Sequence, residues 1–369
     1  MKDIYELLND APIDDDEFAE MEVTGFEKAK VKSALKKSIT TKKKRKGWKV
    51  KIAAAAMIVG LSVTTFGLTF PAYASNIPII GDIFRFMDNG KTGLYDNYKD
   101  YSTEMNMTQE SNGIKVTIND AIFDGKTVAI TYSIESEKDL GDDITTFGSP
   151  DIKGSTGMAG SSKISKVDDY HYVGLYRATP IDLASIGKDS VDIKWSLDGF
   201  IQHGTVEKVE GNWKFAFSLK ATESQVQLSN QSIEKSGVKI NIEKISYSPM
   251  SFIVSYDQEV AKQVSDKWHD VYVELEVKDD LGNVYSGEGN GGLGKNIYNM
   301  SLSETFKKLK PSATKLIITP HVTFRSHDST NSGGVEFTKD GPKEIPIPTK
   351  SGIGKEEFIL EDIIIELEK

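Results

Sequence analysis

The chain of 369 residues contains no cysteine. This absence excludes disulfide bonds, thiolate zinc sites and thiol redox chemistry. A cysteine-free exported domain of this size can still build a sufficient core, and such a composition suits the exterior of a Gram-positive cell. No HExxH and no GxSxG motif is present either, so two common hydrolase signatures are missing. The sequence therefore predicts a protein that is not an enzyme and that holds neither cofactor nor metal.

Charge is absent from one long segment, Ile52 to Ala74. Its 23 residues would span roughly 34 Å as a helix, enough for a hydrocarbon core of about 30 Å. The ten residues before it, Lys42 to Lys51, carry seven basic side chains and no acidic one. Because basic residues flank the cytoplasmic end of a membrane helix, we expect residues 52–74 to be one transmembrane helix with a cytoplasmic N-terminus. Residues 1–51 would then lie inside the cell and the C-terminus outside.

This uncharged segment has two other interpretations. A cleaved secretory signal is suggested by Ala72, Tyr73 and Ala74, which match the small-x-small pattern of cleavage sites. More than forty residues precede the basic cluster, however, and signal peptides normally begin with only a few. A buried core helix is disfavoured because the apolar run adjoins seven positive charges. Residues 72–74 are kept as a possible cleavage region at the membrane exit.

The predicted cytoplasmic segment has strongly divided charge. Residues 1–27 contain ten acidic side chains and one lysine, whereas residues 28–51 contain twelve basic and no acidic side chains. We expect a helix from about Asp15 to about Lys37, with Asp14 as N-cap and Glu17 as its capping-box partner. The dipole of that helix favours acids in its first turn and lysines in its last.

One broad face of this helix is apolar, and this face is the candidate protein-binding site. A segment this short buries too little apolar surface to fold alone, so the face would dock on a partner. The alternative is a charged helix that only fixes membrane topology and rests on anionic lipid. The candidate binding residues are Asp14, Asp15, Asp16, Glu17, Phe18, Met21, Phe26, Ala29, Leu35 and Ile39.

From Thr103 onward the pattern is that of β-strands. Apolar residues alternate with polar ones over Ile114 to Ile118 and again over Val128 to Ile134, with Asp124-Gly125 as a hairpin turn between them. The unit recurs 124 positions later, where GVKINIEKISYSPMSFIVSYD matches GIKVTINDAIFDGKTVAITYS. Two copies of a domain-sized unit indicate tandem related domains.

The fold expectation is thus a mainly β ectodomain of two tandem β-sandwich, immunoglobulin-like domains, after one transmembrane helix and a short cytoplasmic helical segment. The expected boundaries are residues 1–51, 52–74, a juxtamembrane connector at 75–101, a first sandwich at 102–222 and a second at 223–369. Residues 1–51 carry a net charge of +3 and the whole chain −10, so the exterior is acidic. An acidic exterior argues against nucleic acid as a direct partner.

The glycine-rich run, the histidines and the aromatic residues are interpreted as structural and not as parts of a binding site. Gly289 to Gly294 satisfies GxGxxG, but its surroundings read as antiparallel β, so we interpret it as a glycine-rich loop without a nucleotide. The five histidines lack the spacing of a metal site, although His321 and His327 lie close in sequence. Most aromatic residues are expected in the β cores. The aromatic residues considered were Trp195, Trp213, Trp268 and Tyr298.

Three stretches carry a family resemblance: MKDIYELLNDAPIDDDEF, FPAYASNIPIIGDIF and GIKVTINDAIFDGKTVAITYS. They resemble a family of single-pass membrane proteins of Gram-positive bacilli with an ectodomain of unknown function and a second β companion domain. Members are described as anti-sigma factors, or negative effectors of extracytoplasmic-function sigma factors. The resemblance implies a cytoplasmic sigma factor as partner. Since the chain lacks the HxxxCxxC zinc signature of better-known anti-sigma domains, such binding would proceed without zinc.

The leading functional expectation is a cell-membrane anti-sigma factor that sequesters its sigma factor inside and responds to an external signal through the β domains. A protease and a wall or peptide ligand outside would be further partners. The alternative is a surface-anchored binding or cell-envelope protein whose tail has no regulatory role. A third interpretation, a wall-modifying enzyme, is disfavoured because no catalytic motif supports it.

Overall fold

The computed structural model describes residues 80–181, 189–203, 208–328, 334–339 and 341–368. The expected cytoplasmic segment 1–51 with all of its candidate binding residues, the expected membrane helix 52–74 and residues 72–74 lie outside these ranges. Within them, no helix is both long enough and apolar enough to cross a membrane. The chain divides into two compact units, and everything described below belongs to the second, Leu68–Lys369.

The described chain begins with short helices. A 3-10 helix, Ile80–Asp82, leads into helix α1, Ile83–Asp88, and helix α2, Tyr98–Tyr101, follows. The Asp82 carboxylate caps α1 by accepting a hydrogen bond from the Arg85 backbone N–H at 3.1 Å. Asn89, with φ of 51°, ends α1 in the left-handed conformation that asparagine tolerates. Both signals are local to the chain around α1.

The first β domain contains two antiparallel sheets. One sheet has the strand order β1-β2-β3-β7-β6, and the other has β4 and β5 on one side of β8 and β9 on the other. Alternating side chains of both sheets point into one shared core, in which Tyr132, Trp195 and Trp213 are fully buried. The strands are β1 Thr103–Ser111, β2 Ile114–Phe123, β3 Val128–Ser136, β4 Ile144–Phe147, β5 Pro150–Ile152, β6 Met158–Lys166, β7 His171–Pro180, β8 Ser190–Gln202 and β9 Lys208–Lys220.

The second β domain repeats this plan. Its first sheet has the order β10-β11-β12-β16-β15, and its second has β14-β13-β17-β20 with β21 also paired to β17. A short helix α3, Lys262–Lys267, joins β12 to β13, and β18 and β19 form a separate two-stranded sheet. The strands are β10 Gln225–Lys235, β11 Val238–Tyr247, β12 Ser251–Val260, β13 Asp270–Asp279, β14 Val284–Tyr285, β15 Gly287–Asn296, β16 Asn299–Lys307, β17 Lys315–Arg325, β18 Gly334–Thr338, β19 Gly341–Ile345, β20 Lys355–Ile359 and β21 Ile363–Glu366.

The two domains share even their irregularities. Two-residue hairpin turns, Asn112-Gly113 and Ser236-Gly237, have positive φ at both positions, as type I′ turns require. Register shifts also recur at the same 124-residue offset. They lie between Glu104 and Met107, between Ile118 and Asp120, between Leu228 and Gln231, and between Ile242 and Lys244. The internal repeat read from the sequence is therefore a repeat of strand pairing and bulges, not only of apolar spacing.

The expectation of a mainly β protein is confirmed, and paired antiparallel sheets around a common core are consistent with β-sandwiches. One local interpretation needs correction, because the glycine-rich run 289–294 is not a loop but lies inside strand β15. At the C-terminal end, β20 and β21 are separate strands, and Leu360 between them is buried.

Candidate functional site at the interdomain junction

The chain that precedes the first strand packs against the β domains. Ile83, Phe84 and Met87 of α1 are buried, and so are Tyr95 and Tyr98. They form a third core cluster on the outer face of the first sheet, separate from the core between the sheets. The other members of this cluster are Leu94, Ile122, Ala129, Val173, Leu175 and Met250. Residues 80–101, expected as a connector, therefore form part of the folded body.

Met250 shows that this cluster also reaches the second domain, because it lies in the turn between β11 and β12. The rings of Tyr95 and Tyr98 meet edge to face at 4.9 Å between centroids, and Phe84 lies beside both. Such aromatic contacts add about 0.5–1.5 kcal/mol each beyond burial. The connector is thus held between both β domains by apolar packing.

A chain of hydrogen bonds, here called the polar line, crosses the same junction through Tyr95, Arg177, Glu288 and Asn290. The Arg177 guanidinium on β7 donates through Nη1 to the carboxylate of Glu288 on β15, and through Nη2 to Asn290 Oδ1 at 3.0 Å. Tyr95 Oη donates to the same Glu288 carboxylate at 2.9 Å. Connector, first domain and second domain therefore converge on one carboxylate. Charge-assisted bonds of this kind are stronger than neutral ones.

Asn290 extends the line into the buried interface. Its side-chain amide donates to Thr305 Oγ1 at 2.9 Å and to Ser303 Oγ at 3.3 Å, within its own domain. Its carbonyl oxygen accepts from Thr127 Oγ1 at 3.3 Å, across the boundary. Thr127 in turn pairs with Thr179 at 2.7 Å between hydroxyl oxygens. Because buried polar groups cost free energy unless they are paired, this network fixes the relative placement of the two domains.

The glycine-rich run has a structural role in this junction. A Cβ at Gly291 would lie 2.6 Å from the Ala159 side chain on β6, and the φ of Gly291 is +75°. Glycine therefore lets the edge strand β15 of the second domain approach the edge strand β6 of the first. Gly292 and Gly294 instead face β16 of their own domain, where an added Cβ would meet Leu302 and the Asn299 carbonyl oxygen.

Burial and neighbouring charges shift several pKa values here. Burial raises the pKa of Tyr95 and of Tyr98, so both phenols stay protonated and able to donate. Burial also raises the pKa of Asp124, against the opposing effect of the Thr127 and Lys126 backbone N–H groups. For Arg177 desolvation acts to lower the pKa, but the negative charge of Glu288 acts in the opposite direction and the pKa is raised overall. Arg177 is therefore a permanent cation of the junction.

A cavity of about 150 Å³ opens beside this polar line. Met87 and Leu175 provide its apolar wall. Its polar lining comes from Asp88, Lys91, Thr92, Tyr95, Ser161, Lys163, Arg177 and Glu288. The lining lacks a nucleophile hydrogen-bonded to a histidine base, and no group of three metal-type ligands is found in the part of the chain that the structure describes. The arrangement is suited to binding and to domain coupling.

The histidines lie apart from this cavity. His269 and His327 are neighbours, with ring centroids 5.9 Å apart, and His327 Nε2 pairs with the Asp270 carboxylate at 2.5 Å. His321 pairs instead with Glu276 at 3.1 Å on the second sheet, so the nearness of His321 and His327 in sequence does not make them partners. The aromatic residues expected in the β cores lie there. Trp195, Trp213 and Trp268 are buried, and Tyr298 packs against the core of the second domain.

Sequence reasoning missed the junction. Arg177 sits in an ordinary strand, and nothing local marks its pairing with a residue 111 positions later. The only local signal was the glycine-rich run around Glu288 and Asn290, whose small residues permit a close approach of another backbone.

Both β domains resemble proteins of known sequence or structure. Residues 42–136 match a domain of unknown function, DUF4179, and residues 224–367 match a family of unknown function, DUF5643. The conserved domain protein from Bacillus anthracis, known from a crystal structure, has 48% sequence identity to this chain and superposes on it with a TM-score of 0.69. The match covers 79% of this chain and 100% of that one. Collagen adhesin from S. aureus aligns at 8% identity with a TM-score of 0.12, too low for a structural argument. No curated protein matches the chain.

Proposed function

We propose that this chain, which belongs to the family of the conserved domain protein from Bacillus anthracis, acts as a single-pass membrane anti-sigma factor. Its N-terminal segment would hold an extracytoplasmic-function sigma factor away from RNA polymerase. Its two β domains, proposed to be immunoglobulin-like, would receive an external signal. The sequence supports this layout through the divided charge of residues 1–51 and the uncharged run 52–74.

The observation that carries the proposal is the junction around residues 80–101. These residues follow the uncharged run closely, and six of their apolar side chains belong to the buried cluster that reaches both β domains. A ligand or force that shifts one domain relative to the other must break contacts of Tyr95 or Met250, and so must disturb the chain next to the membrane. A connector that hung free would have no such coupling to the ectodomain.

Inside the cell, the apolar face of Phe18, Met21, Phe26, Ala29, Leu35 and Ile39 would lie in a hydrophobic groove of the sigma factor. The acidic residues Asp14 to Glu22 would face its basic DNA-binding surface. Release would follow a rearrangement of the β domains or proteolysis between Ala72 and Ile80, at the expected membrane exit.

The test is affinity capture of the cytoplasmic segment. Residues 1–51 are expressed in the native cell and co-purifying proteins are identified by mass spectrometry. We expect a sigma factor that is lost with Phe18→Ala and Phe26→Ala in the same segment. Val23→Ala and Val31→Ala, on the opposite side of the helical wheel, should retain it. In the full-length chain the Phe variants should derepress the sigma-dependent genes, and unchanged transcription at normal protein levels would refute the clamp.

A second candidate is a surface-anchored binding protein whose tail only fixes topology. The cavity beside Arg177 favours this candidate, because a lined cavity between domains is a common place for a ligand. Genetic neighbourhood distinguishes the two: co-transcription with a sigma factor gene supports the first, and a wall-synthesis cluster supports the second. Capture of no protein by residues 1–51 would also favour the second.

A further inference from the structure

The cavity at the junction has hydrogen-bond acceptors that are already occupied. The Asp88 carboxylate, 6% exposed, accepts from the backbone N–H of Thr92 at 3.2 Å, from that of Gly93 at 3.0 Å and from the Thr92 hydroxyl. The Glu288 carboxylate accepts from Tyr95 and Arg177. Both acids of the lining are thus turned toward protein donors.

The cations of the lining keep donors to spare. Lys163 Nζ makes one described hydrogen bond, to the Met87 carbonyl at 3.2 Å, and an ammonium has three N–H groups. Arg177 uses its guanidinium toward Glu288 and Asn290, out of five N–H groups. Lys91 is exposed at the rim, and its ammonium makes no ion pair within the described ranges. The cavity therefore presents more donors than acceptors.

Charge and size narrow the class of ligand. The lining holds three cations, Lys91, Lys163 and Arg177, and two carboxylates, so it has one positive charge in excess. That excess of one charge balances a monoanion. A phosphate dianion carries a second negative charge, which the excess does not balance and which Asp88 and Glu288 would repel. A cavity of about 150 Å³ accommodates a molecule of roughly the size of benzene. This space admits a carboxylate with a few carbon atoms against the apolar wall of Met87 and Leu175.

We propose that this cavity binds the carboxylate of a short aliphatic acid, with Lys163 and Lys91 donating to the carboxylate and Met87 and Leu175 contacting the aliphatic part. Either a free acid or the C-terminal carboxylate of a peptide that ends in a small side chain supplies this chemistry. The site stands independently of sigma-factor binding, because none of its residues belongs to residues 1–51.

Binding is tested with the full-length chain in detergent micelles and N-acetylalanine as probe, by calorimetric titration or ligand-observed NMR. The matched neutral probe is N-acetylalanine amide, which has the same shape without the charge. We expect the acid to bind at least about tenfold more tightly than the amide, the effect of losing one charge-assisted hydrogen-bond pair. Lys163→Met and Lys91→Met should each weaken binding of the acid by a similar factor. Lys194 is an exposed lysine on β8, and Lys194→Met should leave the affinity for the acid unchanged.

Two further probes identify the source of the carboxylate. Tighter binding of N-acetylalanine than of acetate assigns a peptide terminus, and equal binding assigns a free acid. The proposal is overturned if acid and amide bind alike, if inorganic phosphate binds more tightly than either acid, or if no acid binds at about 10 mM, a concentration that reveals even weak sites. Equal losses in the Lys163→Met and Lys194→Met variants would also overturn it.

Discussion

The guanidinium of Arg177 crosses from the first β domain to the second and donates a hydrogen bond to the carboxylate of Glu288. The Arg177 side chain is 12% exposed and that of Glu288 is 34% exposed, so the pair is partly removed from water. Tyr95 of the connector binds the same carboxylate. One ion pair therefore links the connector and the two β domains, and breaking it would leave the surviving charge unpaired near the interface.

The first prediction concerns this pair. Arg177→Met and Glu288→Gln should each lower the free energy of unfolding by about 1–3 kcal/mol, and the double variant should lose less than the sum. Urea unfolding of all four proteins measures the cycle, and hydrogen exchange should show faster opening of α1 in both single variants. Lys153→Met removes an exposed pair with Asp192 and should cost below about 0.5 kcal/mol. Strictly additive losses would show that the pair does not couple the domains.

The second prediction concerns Gly174, which faces Tyr132 across the β3–β7 pairing. A Cβ at Gly174 would lie 2.2 Å from Cζ of Tyr132, whose ring is fully buried. Because the ring has no space to move, Gly174→Ala should destabilise the chain by about 2 kcal/mol or more. Gly289→Ala is the matched control in a strand, since nothing lies within 4 Å of its Cβ position and its φ is not positive. Similar thermal midpoints for the two variants would contradict this account.

Much of the β architecture was open to sequence reasoning. The alternation of Ile114, Val116 and Ile118 predicted a strand whose inward face is buried, and β2 has that face. The repeat offset of 124 located the second hairpin from the first. These features are local or periodic, and pairing along a hairpin follows directly from them.

The junction was not open to the same reasoning, for physical reasons. Residues 88–101 look polar, yet Leu94, Tyr95 and Tyr98 are buried against the outer face of a sheet. The strand β7 carries buried residues on both faces, which a period of two does not reveal. The cavity and the Arg177–Glu288 pair depend on how two domains dock, and single-sequence patterns carry no information about that. The cytoplasmic clamp stays a prediction, because its residues lie outside the described ranges.

The third prediction is a pH dependence that comes from Glu304. Burial raises the pKa of this carboxyl from about 4.5 to about 7, with Glu274 acting in the same direction and the hydrogen bond from Tyr256 opposing. Between these two values the native state holds a proton that the unfolded state releases. Stability should therefore fall as the pH rises through this window, by about 1–3 kcal/mol in total.

Glu304→Gln removes this titration. Its free energy of unfolding, measured by urea between pH 5 and pH 8, should exceed that of the parent increasingly as the pH rises. Glu361→Gln, an exposed residue between β20 and β21, is the control and should leave the pH slope unchanged. A parent and a Glu304→Gln variant with parallel pH profiles would show that Glu304 stays ionised across the window.

The fourth prediction uses the two equivalent hairpin turns. Asn112 and Ser236 occupy the same position with the same φ of 53°, but asparagine tolerates the left-handed region better than serine does. Ser236→Asn should therefore stabilise the second domain by a few tenths of a kcal/mol to about 1 kcal/mol. Asn112→Ser should destabilise the first by at least as much, because it also removes the hydrogen bond that Asn112 Nδ2 donates to the Glu210 carbonyl at 3.0 Å. Gly113→Ala, at φ of 75°, should cost about 1 kcal/mol or more. Thermal unfolding measures each change, and opposite signs for the two exchanges are the decisive outcome. If both exchanges shift the midpoint the same way, the turns differ in more than backbone preference and the structural repeat does not extend to their energetics.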